Sequence, residues 1–156
     1  GKTKRWGEEA IEQTCNDYVI VRVEVVYGKP LDGQHGNIVH LVKSRLENRQ
    51  SIRVVSDQFR SPTWVEDIAR AVELLLSSQH SNIYHICGGE ILSVADIAHR
   101  VAKHFGLDES LIESVTTKEM NEATPRPLYS PMNTQKAFRE LGYEPSLLEE
   151  GLREWE

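Results

Sequence analysis

The chain reads as α/β. Short β-branched runs at Tyr18–Val26, Ser51–Ser56 and Asn82–Cys87 alternate with segments whose apolar residues recur at helical spacing. That alternation predicts an α/β architecture. Capping signals, Thr63 with Glu66 and Ser93 with Asp96, open two of the helical segments. The runs at 18–26 and 82–87 are apolar enough for cover on both faces, as parallel strands are. They are too few for a self-contained parallel sheet, so they are expected to be the last strands of a sheet whose others lie upstream.

From the N-terminus, Lys4, Trp6, Gly7, Glu8 and Ile11 read as a helix already under way at Gly1, closed by Asn16-Asp17. This opening predicts a fragment of a larger enzyme, cut at its catalytic helix. A Tyr immediately before Gly1 would complete Tyr-x-x-x-Lys, which sets a phenol and an ammonium on one face of a helical turn. A cation that close favours phenolate and draws its pKa from about 10 toward neutrality. Read by itself, Lys4 fits an ordinary solvated lysine better, so the rest of the chain must decide.

The strand at 18–26 is broken by Tyr27-Gly28-Lys29-Pro30, and Leu31 to Gly36 reads as a loop. A helix from Asn37 carries Ile38, Val39, Val42 and Leu46 on one face. Ile52, Val54 and Val55 mark a short strand. Thr63 and Glu66 predict the start of a helix with Val65, Ile68, Ala69, Val72, Leu75 and Leu76 inward. Trp64 at that start is expected in core packing. Gly88-Gly89 ends the next strand, and the helix after Ser93 has a stripe from Val94 to Phe105, with Gly106 as its C-cap. Residues 123–131 hold three prolines and are expected to be irregular. A short helix over Asn133–Leu141 stops at Gly142, and Ser146 with Glu149 predicts the cap of a last helix running into Trp155.

With 156 residues, 39% hydrophobic and 27% charged, the chain can bury one core. A net charge of −6 with both signs interspersed argues against nucleic acid or an anionic membrane as partner. No apolar stretch approaches the roughly 18 residues of a membrane span. Cys15 and Cys87 form no metal-ligand spacing, and Cys87 is expected as a buried free thiol, which suggests the cytoplasm. His35 and His40 are five apart, as are His99 and His104. That offset misses a single helical face, so no metal site is expected.

Four blocks now stand in order: Gly1-Lys-Thr-Lys-Arg-Trp-Gly-Glu8; Arg22 with Val26-Tyr27-Gly28; Asp57-Gln-Phe-Arg-Ser-Pro-Thr63; and Arg126-Pro127 with Ser130. This pattern resembles the second half of the extended short-chain dehydrogenase/reductases, most closely the dTDP-4-dehydrorhamnose reductase subgroup. The resemblance implies the C-terminal part of an NAD(P)-binding Rossmann-like fold plus a small α/β substrate-binding domain. Residues 1–27 would be the Rossmann remnant and 28–156 the substrate domain, with strand 82–87 returning to the Rossmann sheet. The N-terminal Rossmann half would be the missing partner, and no G-x-G-x-x-G phosphate loop occurs here.

The activity so implied is reduction of the 4-keto group of a dTDP-6-deoxyhexose with NADPH or NADH. Carried over by motif, Lys4 is the catalytic lysine and holds the nicotinamide ribose, and Val23 and Tyr27 flank the cofactor. Val25, Asn37, Gln58 and Arg126 are the substrate contacts, with Asn37 and Arg126 toward the nucleotide diphosphate. A helix start and a guanidinium both suit phosphate. The chain departs from the subgroup at the strand end: Val25 stands where a sugar-contacting Trp is common, and Glu24 replaces a small hydroxyl residue. Two further readings stay open: a non-catalytic regulator resembling the β subunit of methionine adenosyltransferase, and a nucleotide-sugar epimerase or dehydratase. The Asp57-Gln58 block with Pro62-Thr63 favours the reductase. An open strand edge and uncovered helix faces further imply a homodimer or a retained N-terminal partner.

Overall fold

A computed structural model describes residues 1–30, 36–77 and 81–155. The expected 31–36 loop therefore lies, but for Gly36, outside the described residues. The elements follow as α1 (Lys2–Thr14), β1 (Val19–Val23), β2 (Val26–Tyr27), α2 (Ile38–Glu47), β3 (Ile52–Val55), β4 (Phe59–Arg60) and β5 (Thr63–Trp64). Then come α3 (Val65–Leu76), β6 (Asn82–Ile86), β7 (Leu92–Ser93), α4 (Val94–His104), β8 (Ile112–Val115), α5 (Thr117–Met120), α6 (Gln135–Leu141) and α7 (Leu148–Arg153). No helix among the described residues is long and apolar enough to cross a membrane.

β1 and β6 pair in parallel, Val19 opposite Asn82 through Val23 opposite Ile86. One face of this pair carries Val19, Val21, Tyr84 and Ile86, which close over Ala71 and Leu75 of α3 and Ala137 of α6 in one apolar cluster. α3 and α6 thus pack on this strand pair. β1 is half covered here, with Ile20 its one buried residue. Val65, Ala69, Val72 and Leu76 of α3, expected inward, lie open instead, Leu76 at 82%, and the helix buries Asp67, Ala71 and Leu75. On the other face a bidentate pair fastens α1 to the sheet: Arg22 donates from Nε and Nη2 to Glu8 at 2.8 and 2.6 Å. α1 buries no residue, and Trp6 is exposed.

The second cluster is built by α2, α4 and α7 on the parallel pair β3–β8. Val39, Val42, Ile97, Ala98 and Val101 are fully buried there, the stripes that helical spacing predicts. Ser93 and Asp96 form the expected capping box, and Gly106 and Gly142 take the left-handed conformation at φ +63° and +65° that ends their helices.

Four expectations are corrected. The 18–26 strand is not continuous: Val25 turns to φ 38°, and Val26-Tyr27 leaves the sheet to pair with Thr63-Trp64. Tyr27 therefore continues a strand rather than breaking one. Thr63 does not cap α3. Its hydroxyl donates to the Glu24 carbonyl at 2.6 Å and accepts from Gly88 N at 3.1 Å, and α3 starts from Trp64 without a side-chain cap. Ser146 does not cap α7 either, because its amide and hydroxyl both bond the buried Asp67, at 2.8 and 2.9 Å. Glu150 instead accepts from Leu147 N at 2.7 Å, while Glu149 pairs with Arg100. Strand β8 went unread because Ile112 and Val115 bracket only Glu113 and Ser114, too little alternation to signal a strand.

The crossing point is tight. A Cβ on Gly88 would fall 1.8 Å from the Pro62 carbonyl oxygen. Gly88→Ala is expected to destabilise the fold by about 1–3 kcal/mol. The measurement is a urea titration, with a lower midpoint at unchanged slope; an unchanged midpoint would show that the carbonyl moves aside freely.

Candidate functional site

Past the carboxyl end of β1 and along β3 the chain forms an open cavity of about 320 Å³. Ligands of open α/β sheets bind outside the carboxyl ends of strands, and Val25, just past β1, lines the cavity from such a strand end. Its apolar wall includes Val25, Ile38, Val54 and Ile97, and its polar rim includes Gln58, Arg60 and Arg126. Three of the four residues expected to touch substrate, Val25, Gln58 and Arg126, therefore line one space.

Val25 is directed there by its backbone. A β-branched residue at φ 38° is strained by roughly 1–3 kcal/mol, and Thr63 holds it: Thr63 N donates to the Val25 carbonyl at 3.1 Å. Glu24, beside it, has both carboxylate oxygens engaged. One accepts from Ser61 N at 3.0 Å and the other from the Ser130 hydroxyl. The carboxylate that stands in for a small hydroxyl residue thus ties the Arg126–Ser130 segment to the strand end.

Gln58 and Arg60 are buried and form the cavity's rigid side. Arg60 donates to Gln58 Oε1 at 2.7 Å, to the Phe59 carbonyl at 2.7 Å and to the Pro127 carbonyl at 3.0 Å. Gln58 Nε2 donates to Thr117 Oγ1 at 3.1 Å. The Thr117 hydroxyl and amide also bond Asp57, holding its carboxyl below the usual range. The 123–131 stretch is irregular, as its prolines predict, but it is pinned beside β4: Phe59 N donates to the Leu128 carbonyl at 2.7 Å and Tyr129 bridges Phe59. Arg60 was missed by sequence reasoning; its place between Phe59 and Ser61 gave no sign that its guanidinium turns inward.

Arg126 stands at the mouth, its side chain 64% exposed and its Nε 3.0 Å from Glu122. Asn37 does not line the cavity but caps α2 beside it. Its Oδ1 accepts from His40 N at 3.2 Å and its Nδ2 donates to the Gly28 carbonyl at 2.7 Å. Tyr27 departs from expectation. It is 1% exposed, its hydroxyl donates to the Leu148 carbonyl at 3.2 Å, and its ring sits 5.4 Å from Trp64. Burial pushes its phenol well above the ordinary range. This side chain is core, with no surface left for a cofactor.

Lys4 is exposed on α1. Glu8 lies four residues on, on the same helical face, and that face meets β1 through Arg22. The short link between α1 and β1 makes them run in opposite directions. Lys4 thus lies about 6 Å beyond Glu8, toward the carboxyl end of the sheet. Val23, 41% exposed, ends β1 at that edge. A cation and an open apolar side chain at a sheet's carboxyl edge fit the ribose and ring of a nicotinamide. The sequence contains no G-x-G-x-x-G phosphate loop. Among the described residues, no group of three or more His, Cys, Asp or Glu is placed to hold a metal ion.

A parallel strand pair that releases its chain at a strand end into a second α/β packing cluster, with a polar-rimmed cavity near that release point, fits the substrate-binding part of an extended short-chain dehydrogenase/reductase. The chain belongs to the family described as the RmlD substrate binding domain, which it matches over residues 1–155. It is 40% identical to the spore coat polysaccharide biosynthesis protein SpsK of Bacillus subtilis, over 99% of this chain and 52% of that protein. It is 30% identical to the dTDP-4-dehydrorhamnose reductase of Salmonella typhimurium, over 89% of this chain and 48% of that protein. Methionine adenosyltransferase 2 subunit beta of Xenopus laevis is also 30% identical, over 81% of this chain and 39% of that protein. Among solved structures, the dTDP-4-dehydrorhamnose reductase of Bacillus anthracis, in complex with NADP, superposes with a TM-score of 0.88 at 28% identity, over 99% of this chain and 53% of that one. The chain spans about half the length of these relatives.

Cys87 closes the sheet next to Glu24, fully buried. Burial first, then the Glu24 carboxylate, push its thiol from 9.0 up to about 11. In native protein at pH 8, a thiol reagent is expected to titrate the exposed Cys15 alone, with Cys87 reacting only after unfolding. The folded state keeps a proton on Cys87 that the unfolded chain releases above pH 9.0, so stability is expected to fall as pH rises from 9.0 toward about 11. Fast reaction of both thiols, or stability independent of pH in that window, would contradict the buried placement.

Proposed function

We propose that this chain is the substrate-binding part of a nucleotide-sugar reductase that reduces the 4-keto group of a dTDP-6-deoxyhexose with NADPH or NADH. The observation that carries the reading is the convergence of Val25, Gln58 and Arg126 on one cavity at the end of β1. Its apolar wall suits a base and sugar ring. Its arginines suit a diphosphate, in a chain whose net charge is −6.

The family resemblance and the reductase relatives support the chemistry. The nicotinamide, when bound, supplies the hydride. Lys4 would hold the nicotinamide ribose and favour ionisation of a tyrosine phenol one turn earlier on its helix, in a longer protein of this kind. Val23 would pack against the nicotinamide ring. Val25 would face the sugar from its left-handed position, and Gln58 with Arg60 would keep the opposite wall in place. Asn37 would set the start of α2, and Arg126 would grip the diphosphate.

Two measurements test this. Arg126→Ala is expected to weaken thymidine diphosphate binding by about 1–2 kcal/mol, about five- to thirtyfold, the lower part of the range for charged hydrogen bonds because the mouth is open. Calorimetry showing equal affinity for mutant and wild type would end the diphosphate reading. In a protein that also contains the dinucleotide-binding half, Lys4→Met is expected to lower turnover roughly 10²–10⁴-fold, with the loss least at high pH. Near-normal turnover from pH 6 to 9 would make Lys4 a bystander.

A further inference from the structure

The cavity rim is cationic, with Arg53, Arg60 and Arg126 on it. Among the described lining residues Glu122 is the one carboxylate, and it pairs with Arg126, the arginine at the mouth, at 3.0 Å. The other two guanidiniums are engaged elsewhere. Arg60 is turned to neutral oxygens of Gln58, Phe59 and Pro127. Arg53 bonds the Glu119 carbonyl at 3.3 Å and reaches Glu113 at 3.4 Å. Arg126 is thus the rim cation that an incoming anion would engage by exchanging one partner for another.

We infer that Glu122 is an affinity-setting residue of this site: it occupies Arg126 until a diphosphate displaces it, and it opposes the bound anion by its own charge. The inference rests on the diphosphate reading of the cavity. The pair spans one helical turn's separation in sequence, and its Glu122 side chain is half-buried while Arg126 stays open. An exposed pair of this kind is individually weak, so a ligand carrying two or more charges breaks it readily. What remains after displacement is a carboxylate a few ångströms from the phosphates, in a cavity where screening is less complete than on open surface. Removing that charge while keeping the side chain's shape should therefore tighten binding.

The experiment is a double-mutant cycle on thymidine diphosphate affinity in the purified protein, with wild type, Glu122→Gln, Arg126→Ala and the double variant. Glu122→Gln is expected to tighten binding about three- to tenfold, and the gain is expected to shrink as salt rises from 50 to 500 mM. In the Arg126→Ala background the gain should fall below about twofold, because the competition for the guanidinium is gone. A gain in affinity does not arise from partial unfolding, so a damaged variant does not imitate the expected result. Glu122→Gln binding no tighter than wild type, while Arg126→Ala binds more weakly, overturns this inference alone. An equal gain in both backgrounds overturns the exchange at Arg126. Equal affinity of wild type and Arg126→Ala removes the diphosphate reading and the inference with it.

Discussion

The hydroxyl and amide of Thr63 hold the point at which the two packed clusters of this protein meet. The amide donates to the Val25 carbonyl at 3.1 Å, and the hydroxyl donates to the Glu24 carbonyl at 2.6 Å and accepts from Gly88 N at 3.1 Å. Three stretches of chain, the end of β1, the start of β5 and the end of β6, are thereby fixed at one fully buried side chain. Val25 stays in a left-handed conformation that a β-branched residue would otherwise leave, and the turn it makes sends Val26-Tyr27 out of the sheet. Gly88 is a glycine because the Pro62 carbonyl occupies the place of a side chain there.

From that junction the cavity is built outward by polar groups that satisfy one another. Asp57, Gln58, Arg60 and Thr117 form a connected set, and Glu24 joins Ser61 to Ser130. No buried side-chain nitrogen or oxygen among the described residues lacks a partner. Such networks strongly favour one arrangement, because each broken bond strands a desolvated group at a cost of about 1–3 kcal/mol. The wall that faces a ligand is consequently rigid on the Gln58 side and adjustable only at Arg126. That division suits the nucleotide-sugar site proposed above.

The sheet side is held by fewer forces. α1 rests on the Arg22–Glu8 pair and buries none of its residues, while Val72 and Leu76 leave an apolar strip open beside β1. Among the described residues β1 and β6 pair only with each other. α3 and α6 close over one face of this two-stranded sheet, and the other face carries Arg22 and His85.

Local chemistry in the sequence determined the α/β class, the helix α3, the helices α2 and α4 with their inward stripes, the glycine stops at Gly106 and Gly142, and the buried thiol of Cys87. Each depends on spacing or backbone conformation within a few residues, which is why it was legible. The motif blocks likewise marked Val25, Gln58 and Arg126, though not that they share a cavity. Only the tertiary structure decided the rest. Thr63 and Ser146 carry the residue types of helix caps, yet each is claimed by a partner far along the chain, Glu24 and Asp67. Tyr27 reads as a site residue and is core because Leu148 and Trp64 enclose it. Arg60 carries no local sign of its role and is a wall of the site because Pro127, remote in sequence, supplies one of its acceptors. Bonds between distant segments leave no periodicity to read, so they emerge only when the chain has brought those segments together.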